Sequence, residues 1–449
     1  MRLILVLGLL LLSFGVRADW LSALQAYENK QYAVAKTGFT NLLPLGNANA
    51  AFNLGVMAYY GEGQEVDLEQ ALTYFLLAEQ LQHEQAGGIV KRIYEEASTA
   101  QRAGAEEAAA KALAGVFIKK NAQRYQLSKE QPPAEISTPM PDIPNDVTRK
   151  HPFGYVVVQF LVDGEGRVKV ADAVDGFPEG AFDPYVFRTM GRWQYEATGK
   201  AHLMSVRLSF WATGSMNARS ANQIIKGQNL WSYAQLGSSK HQEMLGSVLN
   251  LVSMVSGAEV YIDEDLPAPA NEPDVSAWFE SRKFDINIPG LAGSVSVATN
   301  EKGEIVRLLD ASELTHPAAE TLQGMRIRGA NSGFFRLSNS LSQDRSFSRV
   351  SKKNSILVEQ YHAVHQELTA GYWWKTAAAN GDRRAQRILG AQREDWQFYL
   401  IQQQDPLATA WHGARLWLDG EAAEGKALLE QAQAAGYKPA GELLQALSL

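Results

Sequence analysis

The chain has 449 residues, no cysteine and a formal net charge of −7, with hydrophobic residues making up 46% of it. A chain this long buries roughly 75% of its unfolded surface on folding and needs no disulfide staples, and without thiols it has no cysteine nucleophile or thiolate metal site. The net negative charge argues against nucleic acid as a general partner.

The N-terminus carries a positive residue, Arg2, then the apolar run Leu3 to Phe14, then Gly15-Val16-Arg17-Ala18. Small residues at the −3 and −1 positions of a cleavage site mark a secretory signal peptide over residues 1–18. As a helix, Leu3 to Val16 would reach only about 21 Å at roughly 1.5 Å per residue, short of the ~30 Å hydrocarbon core. The expectation is therefore an exported chain that does not span a membrane once the signal is cleaved, placed in the periplasm.

Residues 19–125 are rich in Ala, Leu, Gln and Glu, and Leu68, Ala71, Leu72 and Phe75 recur at i, i+3, i+4 and i+7, one apolar helical stripe. Gly61 and Gly63 stand just before that stripe, where a tight inter-helix turn is needed. Residues 126–146 hold Pro132, Pro133, Pro139, Pro141 and Pro144, a pattern that predicts an extended linker. Over 147–213 the period changes to alternation: Val156, Val158, Phe160 and Val162, a turn at Asp163 to Gly166, then Val168 and Val170. Phe182, Val186 and Met190 predict a helix, and Val206, Leu208 and Phe210 a final strand, giving the order β-β-α-β.

Residues 214–262 return to helical spacing, and residues 263–285, acidic with Pro267, Pro269 and Pro273, predict a second linker. Residues 286–342 show a weaker β pattern with a turn at Lys302-Gly303. Arg326 to Lys353 carries seven basic residues against Asp344, with Phe334, Phe335 and Phe347 between them. A solvated basic loop is expected there, with lipid headgroups or an acidic partner as the alternative. Residues 355–449 are expected to be helical to the end.

Self-similarity links the helical blocks. Ala50 to Ala78 resembles a Sel-one-like repeat, a helix–turn–helix relative of the tetratricopeptide repeat. The resemblance rests on Leu54, Gly55, Tyr60, Gly61, Gly63, Asp67, Ala71, Tyr74, Phe75 and Ala78. Trp374 to Gly381 followed by Ala385, Leu389 and Gly390, and Leu428 to Tyr437 followed by Pro439 and Ala440, repeat the pattern; Trp231 to Gly237 is a weaker echo. Such repeats bury their apolar faces only by stacking, and they present a concave surface to partners. Gly154 to Val168, with Phe182-Asp183, Arg192 to Tyr195, Gly199-Lys200 and Val206 to Phe210, is similar to a TonB C-terminal domain. Gly293, Val295, Val297, Gly303, Ile305 and Met325 to Ile327 stand in comparable order, as a degenerate second copy or as a plain hairpin.

The expected fold is thus α+β, with solenoid-like helical repeats flanking a small TonB-like β-β-α-β domain. The resemblance implies a non-enzymatic scaffold that binds envelope proteins or extended peptides, TonB-dependent receptors among them. Strand addition along Met204, Val206, Leu208, Phe210 and Trp211 is the expected mode. Energy transduction is not expected, since the proline-rich stretch is far too short for a periplasm-crossing stalk at ~3.1 Å per residue. An envelope-assembly or cell-wall scaffold unconnected with TonB, and an enzyme with an unrecognised site, are the alternatives. No cofactor is expected and no metal: His362 and His365, three apart on an expected helix, have no third ligand nearby in the sequence, and HExxH, GxSxG and Walker elements are absent.

Overall fold

In a computed structural model, residues 19–119, 122–211, 217–256, 259–263, 265–276, 278, 283–287, 294–310, 322–327, 330, 332–339 and 355–448 are described. The expected signal peptide lies outside them.

Helices come first: α1 (Trp20–Glu28), α2 (Tyr32–Leu42), α3 (Ala48–Tyr60), α4 (Leu68–Gln80), α5 (Ala86–Glu96) and α6 (Thr99–Ala114). Next are β1 (Glu135–Ser137), α7 (Asn145–Lys150), β2 (Phe153–Val162), β3 (Val168–Phe177), α8 (Asp183–Met190), β4 (Gln194–Tyr195) and β5 (His202–Trp211). Helices α9 (Ala218–Gly227), α10 (Leu230–Gln235) and α11 (Ser239–Ser256) lead to β6 (Glu259–Ile262), β7 (Lys283–Asn287), β8 (Ser294–Thr299), β9 (Ile305–Asp310), β10 (Gly333–Asn339) and β11 (Ser355–Val364). The rest is helical: α12 (Ala370–Ala379), α13 (Arg383–Gly390), α14 (Glu394–Gln402), α15 (Pro406–Leu418), α16 (Ala422–Ala434) and α17 (Lys438–Leu447). The chain is of the mixed α+β class.

It divides into two compact units that do not follow sequence order. The first takes the chain to Tyr125, Leu236–Lys240 and Lys375–Gln403; the second takes Gln126–Gln235, His241–Trp374 and Gln404–Leu449. The block read as one C-terminal helical domain over 355–449 is therefore split between them. It also opens with a strand: Ser355–Val364 is β11, not helix, because it pairs with β10, β7 and β6. Backbone pairing on two sides overrides a local pattern that a short apolar run leaves ambiguous.

In the first unit, α3 and α4 form a helical hairpin. Gly61 and Gly63 both have positive φ, +71° and +73°, and a Cβ on Gly63 would lie 2.5 Å from that of Tyr32. Asp67 then caps α4 by accepting from the Gln70 N–H at 2.9 Å. Leu54, Gly55, Ala71, Phe75 and Ala78 are buried, whereas Tyr60 is 68% exposed. Phe75 lies against Gly55, where a Cβ would come within 3.0 Å of its ring. Asn47 caps α3 and also donates to the Asn380 side chain at 2.8 Å, so the last part of the unit joins the first through a buried amide pair.

In the second unit, β2 is the centre of a three-stranded antiparallel sheet of order β3-β2-β5. Alternate residues of a strand face opposite ways. Val156, Val158, Phe160 and Val162 pack with α8, Trp193 and Tyr195, while Tyr155 packs with α9–α11 and Leu161 with α15–α17. Burial on both faces explains why β2 is a nearly unbroken apolar run rather than a clean alternation. Gly413 and Gly425 bring α15 and α16 together, each standing where a Cβ would lie 2.5–2.8 Å from the other's carbonyl oxygen.

The two expected linkers, mostly exposed where described, are each held to the fold at particular points. Within 126–146, β1 pairs with β4 and the Pro139 carbonyl accepts from the Trp193 indole at 2.9 Å. Within 263–285, Val275 and Trp278 are buried beside α9 and α11, and the Val275 N–H donates to Asn222 at 3.1 Å. Composition reported solubility of these stretches, but the buried indole edge and amide needed backbone partners. The second β-rich stretch also exceeds 286–342, since its six-stranded sheet, order β6-β11-β10-β8-β9 with β7 also on β11, draws strands from both sides. Of the expected basic loop, residues 333–339 form β10 instead, and 340–353 lie outside the described residues.

Candidate partner-binding edge

The two edges of the three-stranded sheet differ. β3 meets a helix: Val170 packs with Ala440 and Leu443 of α17, and the Tyr437 hydroxyl donates to Asp172. Among the described residues, β5 pairs with β2 alone, through a continuous register from Phe153↔Trp211 to Val162↔His202. Its second row of backbone N–H and C=O groups is the only pairing potential the sheet leaves open at that side.

Four of the side chains singled out on β5 pack into the module itself. Leu208 is buried, and Met204, Val206 and Phe210 are partly buried against the same core as Phe160, Phe182 and Trp193. Phe210 stacks on Phe182 with ring centroids 5.0 Å apart. They hold the strand to its module, and what the edge offers a partner is backbone plus the remaining margins of these side chains. Trp211 ends the strand, and its side chain lies outside the described residues.

The opposite face of β5 carries residues that sequence inspection missed. The Arg207 guanidinium carbon lies 3.8 Å from the Tyr155 ring centroid. With its amide oxygen turned toward Arg207, Asn250 accepts from the two terminal nitrogens of Arg207 at 2.8 and 3.2 Å. The Tyr155 hydroxyl donates to Ser247 at 3.3 Å, and Ser247 donates to Glu243 at 2.7 Å. The Trp374 indole reaches the same Ser247 oxygen at 3.4 Å. Asp175, Glu243 and Ser247 are all buried. Burial, and next the nearby Asp175 charge, push the Tyr155 hydroxyl well above the ordinary tyrosine range. Burial lowers Arg207, against the opposing pull of Tyr155 and Asp175. The cluster ties α11 to the sheet and holds β5 rigid from one face while the apolar core holds it from the other. Its members come from β2, β3, β5, α11 and α12, so no local motif announces them.

His362 lies on β11, not on a helix, and His365 caps the 3-10 turn Gln366–Leu368 by accepting from the Glu367 N–H. Among the described residues no cluster of three or more His, Cys, Asp or Glu could hold a metal ion, and no helix is long and apolar enough to cross a membrane. Among the described residues, the first unit has an open concavity of about 600 Å³, lined by Val116, Phe117, Lys119, Gln123, Asp395 and Phe398. Its floor is pinned by Asp395, which accepts from the Lys119 N–H at 2.9 Å and from Arg393 at 2.6 and 3.0 Å. Phe398 remains 44% exposed there. No family model matches the chain, and no curated protein matches it.

Proposed function

We propose that this chain is an exported protein-binding scaffold whose three-stranded module takes an extended segment of an envelope protein along β5. The observation that carries the reading is the outer side of β5: among the described residues β3 and β5 each pair with β2 alone, but α17 and the Tyr437 hydroxyl lie against β3. The similarity of residues 147–213 to TonB C-terminal domains and of the helical hairpins to Sel-one-like repeats supports the same reading.

The energetics limit what the edge does alone. A backbone hydrogen bond nets ~1 kcal/mol, and micromolar affinity needs about 8 kcal/mol beyond the association cost. Strand addition must therefore be supplemented by apolar burial on Val206 and Phe210 or by a second contact on the repeats. A rigid acceptor strand lowers the ordering cost and favours binding.

A photo-crosslinking residue at Ser205, exposed on β5, tests the reading in the full chain in its native compartment. An envelope protein crosslinked through one extended segment is the expected product. Adducts no different from those of the same probe at Glu107, exposed on α6, overturn it.

A further inference from the structure

Two stretches of the second unit build the same local structure. In the first, Asp163 Oδ1 accepts from the N–H groups of Glu165 and Arg167 at 3.0 and 2.9 Å. The Asp163 N–H donates to the Arg167 carbonyl, that of Gly166 to the Asp163 carbonyl, and that of Tyr195 to the Gly166 carbonyl, at 2.9, 2.9 and 2.8 Å. In the second, Asn300 Oδ1 accepts from Lys302 and Glu304, both at 3.0 Å. The N–H groups of Asn300, Gly303 and Ile327 donate to the carbonyls of Glu304, Asn300 and Gly303 at 3.0, 2.8 and 2.8 Å. Gly166 and Gly303 both have positive φ, +83° and +74°. The strand orders also match, β3-β2-β5 and β9-β8-β10.

This equivalence aligns the two third strands. Asp163 corresponds to Asn300, so Val162 corresponds to Thr299; their partners are His202 and Gly333. Counting on, Met204 corresponds to Phe335, Val206 to Leu337 and Leu208 to Asn339. On the outer edge of β10 the chain has placed β11, antiparallel, with Gln360 across from Phe335, Val358 from Leu337 and Ile356 from Asn339. On β5 the same place has no strand among the described residues.

We infer that β5 takes an antiparallel segment in the register that β11 takes on β10, with apolar residues two apart across from Val206 and Leu208. The segment's N-terminal end then lies toward Phe210 and its C-terminal end toward Leu203. This rests on the strand-addition reading and adds direction, register and pattern to it. The chemistry agrees, because Val206 and Leu208 belong to the apolar core of the module and a directly opposite residue shares their face. Ser205, Arg207 and Ser209 alternate with them on the face toward α11, where Ser205 is exposed and Arg207 lies over Tyr155.

The probe is a synthetic peptide with the sequence of residues 355–361, offered to the full-length protein, with a photo-reactive group at one end or the other. Labelling of 208–210 from the N-terminal group and of 202–204 from the C-terminal group is expected. Asp in place of the valine equivalent to Val358 should weaken binding at least tenfold. N-methylation of alternate amides should abolish binding for one set of alternate residues and spare the other. Reversed ends, a shifted register, or labelling of 334–339 by displacement of β11 overturns the inference. Failure of the peptide to label β5, with Ser205 crosslinks to an envelope protein retained, overturns register and pattern but leaves the edge reading. Loss of both overturns the reading itself.

Discussion

The guanidinium carbon of Arg207 lies over the ring of Tyr155, 3.8 Å from its centroid, on the sheet face that receives α11. The pair couples the open strand to the helical layer behind it. Arg207→Ala should destabilise the protein by about 2–4 kcal/mol, because Asp175 stays buried after the nearby cation is removed. Arg207→Lys should recover only part of this, since an ammonium lacks the planar fork that meets both the ring and Asn250. Urea unfolding followed by tryptophan fluorescence measures it; a cost below about 0.5 kcal/mol for the alanine variant would show that the cluster anchors nothing.

The two equivalent turns supply an internal control. Asp163→Ala and Asn300→Ala each remove one acceptor serving two backbone N–H groups, at a cost of about 1–2 kcal/mol. Asp163→Asn should cost less, because Asn300 performs the same task with an amide oxygen. A loss for Asp163→Asn as large as for alanine would mean that the ion pair with Arg167, not the turn, is what matters.

Asp163 also gives a pH signature. Burial pulls its carboxyl upward, but the N–H groups of Arg167 and Glu165 and the Arg167 side chain outweigh that and hold it below the usual carboxylate range. The unfolded chain therefore takes up the proton first as pH falls. The stabilisation is complete above the unfolded value near ~3.9 and disappears as pH drops through the lower folded value. Thermal melts of the native and Asp163→Asn proteins from pH 6 to 3 should converge at the acid end, and parallel curves would rule this out.

His412 acts in a higher window. Burial, then the neighbouring Arg415, lowers it to about 4 against the opposing Asp419. Its folded value is depressed, so the unfolded chain binds the proton more readily between about 6.5 and 4, and stability falls across that range on acidification. The loss should be on the order of 2–3 kcal/mol, and His412→Gln should flatten it. An unchanged slope in His412→Gln would place the acid sensitivity elsewhere.

The helix crossing at Gly413 and Gly425 admits no side chain. Gly413→Ala forces a Cβ to 2.8 Å from the Gly425 carbonyl oxygen and should cost about 1–3 kcal/mol. Gly227→Ala, with nothing within 4 Å, should be neutral or mildly stabilising. Equal melting temperatures for the two variants would contradict the close approach.

Local chemistry was legible in the sequence wherever it acts over a few residues. The turn glycines Gly61, Gly63, Gly166 and Gly303 have the positive φ that their positions imply. The alternation along β2 and β5 and the stripe on α4 stand where their periods place them, because pleat and helical pitch are set by backbone geometry alone. Three features depended on residues distant in sequence. The indole of Trp193 and the amide of Asn222 draw the two proline-bearing stretches into the structure. Ser355–Val364 becomes a strand because β10, β7 and β6 offer it backbone partners. On β5, Leu208 is buried and Met204, Val206 and Phe210 are partly buried in the module's own core, since alternation says which positions share a face but not which face is buried. The strand's place at the open side of the sheet is likewise a property of tertiary pairing, and the order β3-β2-β5 is what makes it an edge.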